Sequence, residues 1–377
     1  MKQIYASQQP ATRLAYIDAQ RGIAALLVIW LHASEVFMQL PKAPAGGWLF
    51  ELAWAVDTGH IGVVLFFALS GFVIPSSLRA QSGETTRSEL QVFFIRRFFR
   101  LYPAYWVSVL ASGLLGLYML SPFSAQTLLL NLTMIQGLLG VPDVMGLYWT
   151  LRIELLFYGV CVVLFMLRLL HQPRWLAVGL FASLLSGLAV AAYRLHPASA
   201  GILLDYRPVY GLYLAIMFWG ALFRRWNDEQ LSSGVNSFSR PLKTILILFP
   251  LVLCLSPLVV TIAYNLVPSA YSPNILRLFL PIAIGLGLFV VFSTILKINN
   301  RLCTWLGKIS YSLYLFHPLV FYPLFVLVRD ERLPALNGAH LSTYLLLSVL
   351  GSIVLSAAIY YVVEKPAIQL GRKLAGR

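Results

Sequence analysis

Five side chains stand out as a set that could do chemistry inside an apolar chain. In the stretch YIDAQRGIAALLVIWLHASEVFMQL, Arg21 precedes His32 by eleven positions. At about 100° per residue this is three turns plus roughly 20°, so both side chains share one helical face about 16 Å apart along the axis. An imidazole in hydrocarbon is costly, and its near-neutral pKa suits general-base work. Glu35, at i+3 from His32, shares that face and can orient the ring or stabilise an imidazolium. Glu154 follows the sequence YWTLR, and His317 is followed by Pro318 in SYSLYLFHP. Counted from the outer ends of their helices, His32, Glu154 and His317 lie roughly 10, 10 and 16 Å deep, one polar layer that suggests a cavity. The plain alternatives are an interhelical hydrogen bond for His32 and satisfaction of carbonyls freed by the proline for His317.

A second group is cationic. The segment FFIRRFFRLYPAYW carries Arg96, Arg97 and Arg100 among Phe93, Phe94, Phe98, Phe99, Tyr102 and Trp106. These rings read as an aromatic collar at headgroup level, and the arginines either anchor a helix end or bind phosphates bidentately. Arg97 and Arg100 share a face if their helix begins early.

The elements that hold these groups follow from composition. The chain has 377 residues, 59% of them hydrophobic and 11% charged, with a mean hydropathy of +0.78. That leaves too little polar surface for a soluble domain of this size. The expected fold is all-α: a single polytopic membrane bundle over 1–377 of about ten helices, near 16–39, 59–78, 101–120, 147–167, 175–193, 203–223, 244–264, 276–296, 305–328 and 341–363. Of the 28 Lys and Arg residues, 21 fall in one set of alternate connections and helix ends. By the positive-inside rule that side is cytoplasmic and holds both termini. The net charge of +14 is therefore a topology signal, not a nucleic-acid footprint. The first apolar segment is too long for a secretory signal, has no small-residue cleavage pattern and reads as a retained helix.

Other features are quieter. Cys161, Cys254 and Cys303 show no CxxC spacing and read as packing residues, and no metal site is expected. Ser70 and Gly71, in GVVLFFALSGFVI, read first as small residues for close helix packing. The connection 121–146 holds a stretch too short and polar to span, expected to be re-entrant or interfacial. Asp205 and Arg207 sit near an outer helix end, where they could pair or meet a polar substrate. The connection from Arg224 to Lys243 reads as a polar loop. Pro318 should kink its helix, and Pro366, after Glu364 and Lys365 at the interface, should end the last one.

Taken in order, these motifs resemble the acyltransferase family 3 integral-membrane proteins. Asp18, Arg21, Gly22 and His32 are similar to the family's first-helix pattern, and FFALSGFVI to its second-helix motif. RRFFRLYPAYW resembles the arginine motif, and YWTLRIELLFY the motif that opens at Trp149 and carries an acidic residue at Glu154. SYSLYLFHP and VEKP match the closing signatures. The chain departs from the family with Ala19-Gln20 in place of the frequent Gly-Leu, and with Arg152, a cation near the outer mouth, in place of Ser.

The resemblance implies transfer of an acyl group, usually acetyl, to a carbohydrate hydroxyl in O-antigen, exopolysaccharide or a lipid-linked sugar. Acyl-coenzyme A would be the donor substrate, with no permanently bound cofactor, in a multi-pass protein of the bacterial cytoplasmic membrane. His32 would take the hydroxyl proton or carry the acyl group itself, with Glu35 and Glu154 supporting it. Arg21, Arg96, Arg97 and Arg100 would hold donor phosphates, and Ser70, Trp149, Arg152 and His317 would contact substrate. Two readings compete: a transporter of a lipid-linked sugar or small polar solute, against which the lack of an inverted repeat counts, and a scaffold that tolerates loss of His32 and Arg97.

Overall fold

The computed structural model describes residues 15–78, 86–119, 122–195, 210–231, 239–266 and 274–376, and among them every regular element is helical. Among the described residues fourteen α-helices follow one another: α1 (Ala15–Phe37), α2 (Trp48–Val56), α3 (Thr58–Val73), α4 (Thr86–Tyr118), α5 (Ala125–Asn131), α6 (Trp149–Met166), α7 (Pro173–Leu195), α8 (Tyr210–Leu231), α9 (Arg240–Leu266), α10 (Asn274–Thr294), α11 (Arg301–Phe316), α12 (Pro318–Arg329), α13 (Leu341–Ile359) and α14 (Lys365–Leu374). By length and composition, four described spans are apolar enough to cross a membrane: Thr58–Ser77, Gly146–Met166, Pro173–Val190 and Leu341–Leu374. The bent pair α11 and α12 makes a fifth if counted as one span. Several others carry the ionisable groups of the site, which lowers their mean hydropathy.

The core is built around α1. It packs against α3 on one side and α11 on the other, and α3 in turn packs against α8 and α10. Missing side chains set these crossings. A Cβ on Gly307 of α11 would stand 1.8 Å from the Asp18 carbonyl oxygen of α1, and one on Gly22 of α1 would stand 2.8 Å from Leu306 Cβ. With hydrogen at both positions the two backbones touch, as small-residue packing in membranes requires.

Several elements depart from the expectation, each for a local reason. Helix α4 begins at Thr86, well before 101, so its arginines lie within a 33-residue helix. Its aromatic residues are more than a collar. Tyr102, Tyr105 and Trp106 donate to the carbonyls of Thr133, Asn131 and Leu132 at 3.1, 2.6 and 3.0 Å, fastening the connection that holds the short α5. Helix α8 runs on to Leu231, with Arg224 and Asp228 paired at 2.8 Å across one turn, so the front of the expected polar loop is helical. The kink at Pro318 is real: α11 and α12 meet at a 53° bend.

The last span does not stop at Pro366. A π-helical turn over Tyr360–Glu364 leads directly into α14, with the proline in its first turn, where its missing N–H costs nothing. Cys161 and Cys303 are unpaired. Cys254 lies within α9 with its side chain outside what the structure describes, and Asp205 and Arg207 lie outside the described residues altogether.

Candidate active site

Helix α1 delivers Arg21 to one chamber and both His32 and Glu35 to a second. The first has a volume of about 130 Å3 and is lined by Arg21, Ser70, Arg97, Arg100, Glu154 and Tyr158, among others. The second, of about 400 Å3, is lined by His32, Glu35, Asp57, His60, Trp149 and His317 with further apolar and aromatic residues. Val63 and Tyr314 line both, so the chambers meet there. The phenol of Tyr314 is held at that meeting point by Thr150 Oγ1 at 2.9 Å and the Leu147 carbonyl at 3.1 Å.

In the arginine chamber the cations are partly committed. Arg100 meets the buried Glu364 carboxylate at 2.8 Å, and Ser312 donates to the same carboxylate at 2.6 Å. Glu364, expected at an interface, is 1% exposed. The π-turn aims it inward, and such turns recur at functional sites. Arg97 donates to Ser77 Oγ at 3.0 Å and lies over the rings of Phe93 and Tyr158. Arg21 lines the chamber directly. Arg96 is exposed and lines neither chamber.

Glu154 belongs to this chamber and not to the histidine layer, because it accepts from Tyr158 at 2.6 Å and from Ser70 at 3.3 Å. Ser70 is thus a polar contact, while its neighbour Gly71 does the packing: a Cβ there would stand 1.9 Å from the Met217 carbonyl oxygen of α8.

In the histidine chamber, His32 and His317 stack with ring centres 5.8 Å apart and planes 14° from parallel. His32 Nδ1 lies 3.2 Å from Glu35 Oε2, so Nδ1–H donates to the carboxylate and Nε2 is left with its lone pair. His317 Nδ1 lies 2.8 Å from the Tyr314 carbonyl oxygen. A carbonyl only accepts, which fixes the proton on Nδ1 and makes Nε2 a base nitrogen. That nitrogen is buried without a hydrogen-bond partner among the described residues. The arrangement can take a proton from a bound hydroxyl and hold a second hydroxyl beside it.

Arg152 stands apart from both chambers. Its guanidinium meets the two carboxylate oxygens of Asp143 at 3.2 and 3.3 Å and donates to Tyr210 at 3.0 Å. It fastens the connection before α6 onto α8 and has no free fork for substrate. Sequence reasoning missed Asp57, His60, Tyr213 and Glu364. Asp57 and His60 do carry a sequence signal, two ionisable residues three apart at the start of an apolar run.

The Acyltransferase domain family model matches residues 14–361, and the chain belongs to that family, acyltransferase family 3. The putative peptidoglycan O-acetyltransferase YrhL of Bacillus subtilis is 26% identical over 380 aligned positions, covering 93% of this chain and 54% of that protein. Protein 2 in the picA locus of Rhizobium radiobacter is 39% identical over 113 residues, 30% of this chain and 49% of its own length. The putative acetyltransferase ORF330 of Acidianus two-tailed virus is 26% identical over 309 residues, covering 80% and 81%. The chain thus spans about half the length of the first two relatives. No solved structure matches it.

Proposed function

We propose that this protein is a membrane-embedded O-acyltransferase that moves an acetyl group from acyl-coenzyme A to a hydroxyl of a carbohydrate, either a cell-envelope polysaccharide or a lipid-linked sugar. The observation that carries this is the pair of chambers on one helix, with cations in one, base nitrogens in the other, and a shared wall at Val63 and Tyr314. A donor bearing several phosphates suits Arg21 and Arg97, with Arg100 held in place by Glu364. Its thioester arm would reach past Tyr314 towards His32.

In the chemical step, His32 Nε2 takes the proton of the sugar hydroxyl as the oxygen attacks the thioester carbonyl. The carbon–sulfur bond breaks, and the imidazolium returns the proton to the departing thiolate. Glu35 holds the ring and balances its transient charge. His317 Nε2 accepts a hydrogen bond from the acceptor, and Trp149 forms part of its wall. Glu154 acts through Tyr158 and Ser70 in the donor chamber.

The bias of Lys and Arg supports a ten-helix passage through a bacterial cytoplasmic membrane with both chain ends in the cytoplasm. The names of the two acetyltransferase relatives support acetyl as the group. The test is transfer from radiolabelled acetyl-coenzyme A, by membranes holding the protein, to added peptidoglycan fragments or extracted glycans. Label in the glycan is expected; label in neither glycan nor released acetate defeats the reading.

A further inference from the structure

The histidine chamber has a second polar wall that the mechanism above does not use. Asp57 joins α2 to α3 with a backbone φ of 51°, a left-handed conformation that costs a non-glycine residue energy and tends to persist where a site needs it. One carboxylate oxygen accepts from the His60 backbone N–H at 2.9 Å. The other lies 3.9 Å from His60 Nδ1. His60 Nε2 in turn lies 2.7 Å from the Tyr213 hydroxyl of α8.

The Asp57 carboxylate, the His60 ring and the Tyr213 phenol thus stand in series along one wall, with the ring and the phenol sharing a hydrogen bond. The residues come from two helices whose contact is set by Gly71 and Gly220: a Cβ on Gly220 would stand 2.4 Å from the Ala68 carbonyl oxygen. All three line the same cavity as His32. So do Trp54, which is 41% exposed, and Trp149, whose ring centre is 5.3 Å from that of Tyr213. Flat rings carry a negative face that the C–H side of a pyranose can cover, and a chamber of about 400 Å3 falls in the small-ligand range of about 300–1,000 Å3.

We infer that Asp57, His60 and Tyr213, with Trp54 and Trp149, form the carbohydrate acceptor subsite of the histidine chamber. They bind and orient the sugar while His32 acts on its hydroxyl. The inference rests on the transferase reading and names the part of the site that takes the acceptor. The carboxylate and the phenol place polar oxygens along the wall for sugar hydroxyls, His60 ties the two together, and the indoles supply stacking faces. Among the described residues, the lining of this chamber holds no arginine or lysine to pair with a phosphate. The carboxylate would repel one, which separates this wall from the arginine chamber.

The test uses the full chain in lipid nanodiscs, with radiolabelled acetyl-coenzyme A and a soluble peptidoglycan disaccharide-repeat fragment as the acceptor. Tyr213→Phe, His60→Gln and Trp54→Ala are each compared with the wild type. The KM for the glycan should rise about tenfold in each, as expected for one lost hydrogen bond or stacking contact, with the KM for acetyl-coenzyme A within about twofold. Trp54 sits at the cavity rim on the short α2, so its variant keeps the test informative if a buried variant fails to fold. An unchanged glycan KM, or equal rises for donor and glycan, overturns the inference. Wild type that hydrolyses acetyl-coenzyme A but gives nothing to the glycan overturns the saccharide assignment and leaves the transferase reading in place. Wild type that does neither overturns both.

Discussion

Arg97 and Arg100 are three residues apart on one helix, yet the structure gives them different tasks. Arg100 spends its charge on a buried carboxylate, while Arg97 has a neutral hydroxyl partner and two aromatic faces. Arg97→Gln should therefore raise the KM for acetyl-coenzyme A about 10- to 100-fold, the range of a lost charge-assisted hydrogen bond, with a smaller change in kcat, read by steady-state kinetics. Glu364→Ala should act on stability instead. Removing one partner of a buried pair costs about 3–5 kcal/mol, and the double variant with Arg100→Ala should lose less than the sum of the singles. Thermal unfolding in detergent reads both. The rigid period of a helix made the Arg21–His32 face and the His32–Glu35 contact legible in sequence. The partners of Arg100, Arg152 and His60 were not, because each is supplied by a distant segment whose approach depends on packing. Glu154 shows the same limit: depth along a helix said nothing about which chamber it faces.

At the scale of elements, the site depends on how closely α1 and α11 approach. His32 and His317 lie on these neighbouring helices or at their ends, and the stack of the two rings is possible because the backbones touch at Gly307 and Gly22. Gly307→Val should force α11 away from the Asp18 carbonyl. Overpacking of this kind costs about 1–3 kcal/mol, so a lower melting temperature and reduced transfer should appear together, while an exposed substitution such as Arg96→Gln should leave the melting temperature unchanged. Pro318 was readable as a kink because proline removes a donor wherever it stands. Pro366 looked the same in sequence and did otherwise, since the π-turn before it places the ring in a first turn. The early start of α4 was hidden by its charges, which resemble a loop until their partners and the aromatic contacts to the Asn131–Thr133 carbonyls are known.

The whole molecule makes chemical sense only if its two chambers open towards opposite compartments. The arginine chamber must meet cytoplasmic donor, and the histidine chamber must meet acceptor from the other side. Single cysteines test this with a membrane-impermeant thiol reagent on intact cells, in a background without the three native cysteines. Lys42→Cys and Arg332→Cys should label from outside, and Arg87→Cys only after the membrane is opened. The reverse pattern, or labelling of all three from outside, would refute the orientation. The membrane character and the all-helical fold followed from composition. The split of the polar interior into two rooms did not, because no one-dimensional pattern encodes a wall made of Val63 from α3 and Tyr314 from α11.

The central claim is that the His32 imidazole carries acyl transfer. Its most direct test is transfer of radiolabelled acetyl from acetyl-coenzyme A to glycan by purified His32→Ala protein in nanodiscs, beside wild type of matched melting temperature. Loss of a positioned base should lower the rate about 10²- to 10⁴-fold, to background, while donor binding persists. Transfer at the wild-type rate by that variant would contradict the account.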